Sequence, residues 1–339
     1  MSKALNIAII GAGFIGRVHA QCIASNPRTQ ISSIFDVDEG ASGQVATKHS
    51  ARVASSLHEA VAEADAVIIG TPTSTHGEIS RLCIQEKTPF ICEKPLDTNL
   101  VSALRTARAA AEAGVFAGMG LNRRFDQQYS QLHSAIKRGD LGKIEMILMT
   151  SRTPTLQPAK YVATSGGLLR DKGAHWFDLV CWLSGERPTK IFVAGSCLID
   201  PRFAELNDID TAAITLTMES GALCQLDFSR RTAYGNDERV EVAGSAGMMQ
   251  SRAPNVSDVA FYQGDSVKCQ GVHQDWYSRI QNTYPTQLDA FVDALNGNGD
   301  FPTLTDGLVA ETIAMAGNLS LEKGAPVPIT YDDIEGIAA

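Results

Sequence analysis

The stretch IIGAGFIGRVHA, residues 9–20, confines the start of this chain to very few folds. A β-branched run, LNIAII (5–10), leads into glycines at 11, 13 and 16, and an amphipathic segment begins at once. In a dinucleotide site, such glycines make the tight turn, admit the pyrophosphate and let the helix pack closely on the strand, while the helix N-terminus meets the phosphate charge. The spacing alone is a weak signal, and its context strengthens it. A second β-branched run, ISSIF (31–35), ends at Asp36, where a carboxylate would accept the adenosine ribose hydroxyls and repel a 2′-phosphate. The expected cofactor set is therefore Gly11, Gly13, Phe14, Ile15, Gly16 and Asp36, with Asp38 competing for the ribose, and NAD is favoured over NADP.

Short apolar runs at 5–10, 31–35, 66–70, 89–93 and 115–120 alternate with helical segments near 14–25, 56–63, 77–86 and 98–113. That alternation predicts a parallel sheet covered on both faces. From about Leu121 the texture changes to long alternating segments, such as IEMILMTSR, KIFVAGSCLI, DTAAITLTM, ALCQLDFSRR and RVEVAGSAGMM, with helices near 125–138, 171–184 and 284–296. An open, mainly antiparallel sheet is expected there. The fold class is thus α/β, with domains at 1–121 and 122–339, and SRAPNVSDVAFYQGD (251–265) reads as a loop and hairpin without fixed boundaries.

A net charge of −9 without a basic tract argues against nucleic acid and anionic membranes as partners. No apolar run is long enough to cross a bilayer, and seven cysteines without a C-x-x-C pair suit a reducing, cytoplasmic setting. A small molecule is the expected partner.

GTPTSTH (70–76), CEKPLD (92–97) and NRRF (122–125) each fall where a parallel strand should end, the edge at which open α/β sheets bind ligands. Lys94, beside a proline, could polarise a hydroxyl or carbonyl there. GGLLRDKGAHWFDL (166–179) sets Asp171, His175 and Asp178 on one stripe of an otherwise apolar helix. A satisfied structural network, a metal-ligand pair and an acid/base constellation would each explain the stripe. The metal reading lacks third and fourth ligands, so no metal is expected. An imidazole oriented by a carboxylate suits proton removal from a hydroxyl.

Together GAGFIG, TPTSTH, EKP, NRRFD, SGGLLRDKGAHWFDL, DIDTAAITL and SRRTAYGNDERVEVAGSAGM resemble the Gfo/Idh/MocA oxidoreductases, and within them the inositol 2-dehydrogenases, from the first strand to about residue 320. The resemblance implies an N-terminal Rossmann domain, a C-terminal α/β domain with a large open sheet, and a tetramer or dimer formed through those sheets. It makes Lys94, Asp171 and His175 the catalytic residues: Lys94 steadies the alkoxide, Asp171 binds a substrate hydroxyl and tunes the base, and His175 removes the proton. Thr71, Pro72, His76, Glu93, Lys94 and Asn122 join the cofactor set, and Asn122, Arg123, Arg152 and Tyr234 join Lys94, Asp171 and His175 around the substrate. Asp178 would brace the site. Lys172 and Trp176 beside the catalytic pair, and serine at 151 where some relatives present histidine, depart from the inositol dehydrogenase pattern and point to a changed pocket.

The expected activity is NAD-dependent oxidation of a secondary ring hydroxyl of a cyclic polyol, with myo-inositol to 2-keto-inositol favoured. Two alternatives stand beside it: a dehydrogenase or reductase of another sugar or inositol isomer, and a non-catalytic NAD-sensing regulator.

Overall fold

The computed structural model describes residues 4–257 and 259–337, which form two compact units. The first comprises residues up to Asn122 together with 283–311 and 331 onward; the second comprises 123–282 and 312–330. The leading segment of the first unit ends at Asn122, next to the change of texture near Leu121. The C-terminal part does not stay on its far side, because residues 283–311, placed by sequence in the second domain, return to the first unit.

In the first unit, β1 (Leu5–Ile10), β2 (Thr29–Phe35), β3 (Ala66–Ile69), β4 (Phe90–Cys92) and β5 (Ala117–Met119) form a parallel sheet in the order β2-β1-β3-β4-β5. Ile7, Ile9, Val67, Ile68 and Phe90 are completely buried, as strands covered on both faces must be. The intervening helices are α1 (Phe14–Ser25), α2 (Glu39–His49), α3 (Leu57–Ala62), α4 (Thr73–Gln85) and α5 (Leu100–Ala113). Helix α2 went unread in the sequence because EGASGQVATKH buries only Ser42, Val45 and Ala46 and has no apolar stripe.

The second unit holds α6 (Gln127–Lys137), β6 (Ile144–Arg152), α7 (Ala159–Ser165), α8 (Leu168–Asp171), α9 (Gly173–Ser184), β7 (Pro188–Ser196), α10 (Arg202–Glu205), β8 (Thr211–Met218), β9 (Leu223–Ser229), β10 (Asp237–Gly244) and β11 (Gly247–Gln250). A hairpin, β12 (Ala260–Gln263) and β13 (Ser266–Cys269), precedes α11 (Trp276–Ile280). The stretch 251–265 is thus a loop leading into that hairpin, and its Asp258 lies outside the described residues. Helix α12 (Thr283–Leu295) belongs to the first unit, where Arg28 pairs with Asp289 and Asp293. The chain then runs through α13 (Leu304–Lys323) to β14 (Val327–Pro328).

The second sheet is ordered β11-β10-β6-β9-β8-β7-β14 and is antiparallel except between β6 and β9. Alternation is clear in its central strands: in β6, Ile147, Met149 and Ser151 are buried while Leu148, Thr150 and Arg152 keep part of their surface exposed. One face is core and the other is open, as period-two patterning dictates.

Candidate active site

In the first unit the glycine turn separates into two structural demands and one vacancy in side-chain space. Gly11 has φ +104°, and a Cβ there would lie 2.7 Å from the Gly70 carbonyl oxygen. A Cβ on Gly16 would lie 1.8 Å from the Gly11 carbonyl oxygen, so the helix packs on the turn only because that atom is absent. A Cβ on Gly13 would meet nothing within 4 Å. Gly13 is also the N-cap of α1 and, having no side chain, does not compete with an anion at the helix start. These residues fit a dinucleotide pyrophosphate.

Asp36 stands at the end of β2 with Oδ2 accepting from the Ala12 N–H at 2.6 Å, so its carboxylate is held against the turn. Asp38 instead accepts from the Ala41 N–H at 3.1 Å and caps α2.

Thr71 and Pro72 form the loop after β3. His76, expected to touch cofactor, is 1% exposed and has both ring nitrogens against backbone carbonyls, Nδ1 2.7 Å from Pro95 O and Nε2 2.8 Å from Thr71 O. It ties the β3 loop to the loop after β4, a bracing role. Glu93 is similarly occupied: its Oε1 lies 2.8 Å from His19 Nε2, and a Cβ on Gly120 would strike its Oε2. His19, buried in α1 and edge-on to Tyr284, is a site-supporting residue that the sequence reading passed over. An imidazole among the apolar residues of α1 was the available signal. Lys94 is half-buried just after Glu93, with a cis bond to Pro95, and Asn122 donates to Thr283 Oγ1 at 3.1 Å.

In the second unit, Gly166 and Gly167 turn the chain into α8, and Lys172 carries the helical backbone on into α9. Leu168, Leu169, Phe177, Leu179, Val180 and Leu183 are at most 1% exposed, which confirms the apolar side of the helix. Asp171 accepts from Tyr161 Oη–H at 2.8 Å and lies 3.8 Å from the Arg230 guanidinium. Arg230 is buried, paired with Asp208 at 2.9 Å and set over the Phe203 ring. A carboxylate so placed is oriented from two sides. His175, one helical turn later, keeps part of its surface exposed.

The polar stripe does not act as one unit. Asp178 is 2% exposed and holds Arg124 in a two-pronged ion pair, with the guanidinium also near the Trp182 ring, so it is occupied in packing α9 against the turn at 122–125. Trp176 is 1% exposed and packs edge-on to Tyr129 in the core, so it does not shape a pocket. Lys172 keeps part of its surface exposed, but its amine is enclosed and meets Ser151, joining two positions that departed from the expected pattern.

Arg123 donates to Glu238 at 3.0 Å inside the second unit's core, with both side chains buried. Arg152, expected at the substrate, is on the wrong side of the sheet. The pleat turns Ser151 inward and Arg152 onto the open face, where it bonds Asp227 at 2.5 Å and approaches Tyr234 Oη at 3.4 Å. Tyr234 donates to Asp237 and is 51% exposed. Arg152, Asp227 and Tyr234 line a cavity of about 670 Å³ on that open face, apart from Asp171. The inward face carries what the sequence reading missed: Thr153 Oγ1 and both amide atoms of Asn236 are buried without a protein partner. Near them, Glu238 pairs in register with Ser151. Buried polar atoms require partners, and hydroxyl-bearing ligands or water can supply them. Strand parity could have found both residues.

Among the described residues no group of three or more His, Cys, Asp and Glu side chains is placed to hold a metal, and no helix is long and apolar enough to cross a membrane. Residues 5–121 match the model of an oxidoreductase family with an NAD-binding Rossmann fold, and residues 129–250 match the GFO/IDH/MocA C-terminal domain. The chain belongs to the Gfo/Idh/MocA oxidoreductase family. It is 34% identical over 98% of its length to the uncharacterized oxidoreductase YrbE of Bacillus subtilis, covering 99% of that protein. It is 32% identical to a myo-inositol 2-dehydrogenase of Thermotoga maritima, covering 96% of this chain and 98% of that one. Among solved structures, a probable dehydrogenase from Thermotoga maritima superposes with a TM-score of 0.93 at 30% identity, covering 98% of this chain and all of the other. A putative myo-inositol dehydrogenase from Sinorhizobium meliloti gives 0.92 at 28% identity, covering 96% of this chain and 100% of that one. This family member is an oxidoreductase whose cofactor is NAD, and inositol dehydrogenases are among its relatives.

Proposed function

We propose that the protein oxidises a secondary ring hydroxyl of a cyclic polyol, with myo-inositol as the favoured substrate and 2-keto-inositol as product. The observation that carries the reading is the Asp171–His175 pair, with Asp171 oriented by Tyr161 and Arg230, beside a sheet face whose Thr153 and Asn236 lack protein partners. His175 takes the hydroxyl proton, and Asp171 accepts a hydrogen bond from a substrate hydroxyl and supports the imidazolium. Lys94 donates to the reacting oxygen as negative charge develops there. Bound NAD supplies the hydride acceptor. A complete proton-transfer set favours turnover over NAD sensing.

The named relatives act on more than one inositol isomer: one is a scyllo-inositol 2-dehydrogenase of Bacillus subtilis, 29% identical over 97% of this chain and of that protein. The substrate test is therefore a panel: initial rates of NADH formation from myo-, scyllo- and chiro-inositol and glucose, with NAD and NADP in turn and with Lys94→Ala and His175→Ala as controls. Activity on an inositol that both variants lose supports the reading; wild-type turnover in both variants refutes the site assignment. All seven cysteines are free, which fits a reducing, cytoplasmic setting. The open face of the second sheet, bearing Leu148, Phe192 and Thr215 with partial exposure, supports assembly into a dimer or tetramer, which light scattering on the purified protein tests.

A further inference from the structure

We propose that Lys172 is a positioning residue for Asp171 and His175, tying the α8–α9 junction to the ends of β6 and β9; the inference rests on the dehydrogenase reading above. Its Nζ lies 3.2 Å from Ser151 O, 3.2 Å from Ser151 Oγ and 3.3 Å from Ser229 O. Three acceptors match the three N–H groups of an ammonium, which leaves none to address a substrate. Strands β6 and β9 are parallel neighbours with Ser151 opposite Phe228 and Arg152 opposite Ser229, so one side chain clips two strand ends to the helix. Lys172 directly follows Asp171 and precedes His175 by three residues, within one turn, so holding it holds both.

The clip depends on charge. A neutral amine has two N–H groups and cannot serve three acceptors. Burial pushes the Lys172 ammonium down to about 7; Glu238 from β10 and Asp171 from α8 oppose that, while Arg230 beyond β9 and Arg123 from the turn after β5 add to it. Loss of the proton on the alkaline side frees one acceptor and loosens the junction, and kcat falls with it.

The test compares Lys172→Met, Lys172→Arg and Ser151→Ala with the wild type in kcat and KM across pH 5.5–9.5 (roughly spanning the window about a pKa near 7). Misplacement of a catalytic pair predicts a fall in kcat of about 10- to 100-fold for Lys172→Met, with the KM for NAD unchanged and the alkaline decline gone. Lys172→Arg stays charged throughout, so it recovers part of kcat and also lacks the decline. Ser151→Ala removes one acceptor and moves the decline to lower pH. Wild-type kcat with an unchanged decline in Lys172→Met, or a decline at the wild-type pH in Ser151→Ala, overturns the inference. A readout that needs no turnover is the NMR titration of ¹³C-labelled histidine: the His175 signal moves in both Lys172→Met and Ser151→Ala, and an unmoved signal in these folded variants also overturns it. A wild type silent on every polyol strikes the functional reading alone, and the His175 titration still decides this one.

Discussion

Gly13→Ala and Gly16→Ala should separate cofactor binding from folding at two positions three residues apart. At Gly13 the backbone has φ −68° and ψ −166°, extended geometry that alanine adopts freely, and the added methyl meets nothing within 4 Å. Removing glycine's freedom from the unfolded chain gains about 0.4–1 kcal/mol, and losing glycine at an N-cap costs a comparable amount. Stability should therefore stay within about 1 kcal/mol of wild type. The methyl does, however, enter the space a pyrophosphate needs at the start of α1, and the NAD Kd should rise at least tenfold, about 1.4 kcal/mol. At Gly16 the methyl would sit 1.8 Å from the Gly11 carbonyl oxygen, a contact that only backbone movement can relieve. Overpacking of that severity costs about 3 kcal/mol or more. Urea unfolding at fixed pH gives the stabilities, and calorimetric titration with NAD gives the affinities. A folded Gly13→Ala that binds NAD with the wild-type Kd refutes the assignment of that space to the pyrophosphate. An unchanged unfolding midpoint in Gly16→Ala refutes the packing argument.

Asp36→Ser should relax the preference for NAD over NADP by about tenfold in kcat/KM, because a carboxylate at that strand end disfavours a 2′-phosphate; an unchanged ratio removes Asp36 from the ribose site. Arg152→Ala should leave the polyol KM unchanged and cost under about 1 kcal/mol, since its pair with Asp227 is more than a third exposed and screened; a severalfold rise in KM would return Arg152 to the substrate. Asp178→Asn removes the buried carboxylate charge that pairs with Arg124 and should cost about 3 kcal/mol in urea unfolding while kcat of the folded enzyme holds. Lys172, at about 7 when folded against its ordinary 10.5, binds a proton in the unfolded chain that the folded one releases between those values. Wild-type stability should therefore climb as pH rises from 7 to 10.5, by at most about 5 kcal/mol, and Lys172→Met should flatten that slope; parallel slopes by urea unfolding count against the burial.

The first sheet was legible because strands such as AVII (66–69), buried on both faces, announce themselves as continuous apolar runs, and β1, β3 and β4 are each followed by a helix with its own apolar stripe. Helices α2 and α13 were not. In α13, Leu308, Val309 and Ala310 are consecutive and all buried, as are Ile313 and Ala314, so burial wraps around the helix and leaves no one-sided pattern to read. The return of residues 283–311 to the first unit is equally silent in the sequence, since Arg28 meets Asp289 and Asp293 across more than 260 positions.

The candidate site divides along the same physical line. Motif residues whose job depends on backbone placement, such as Gly11, Gly16 and Asp36, can be read from spacing because a strand, a turn and a helix leave them one arrangement. Side chains on strands obey a harsher rule: a shift of one residue changes the face. Arg152 and Ser151 are neighbours in the chain, yet one lines the open face with Asp227 and the other meets Lys172 on the inside. The same parity carries Thr153 and Asn236 to the inner face, whereas Tyr234 lies in the turn before β10 and approaches Arg152 from there. Charge and hydrogen-bonding capacity marked all of these residues as candidates, but only the register of β6 against β10, with Ser151 opposite Glu238, decides which of them can face Asp171. A helix stripe is subject to the complementary limit. Asp171 and Asp178 share a helical face by spacing, and their partners, Tyr161 and Arg230 for one and Arg124 for the other, give one a place in the proposed chemistry and the other a place in the packing.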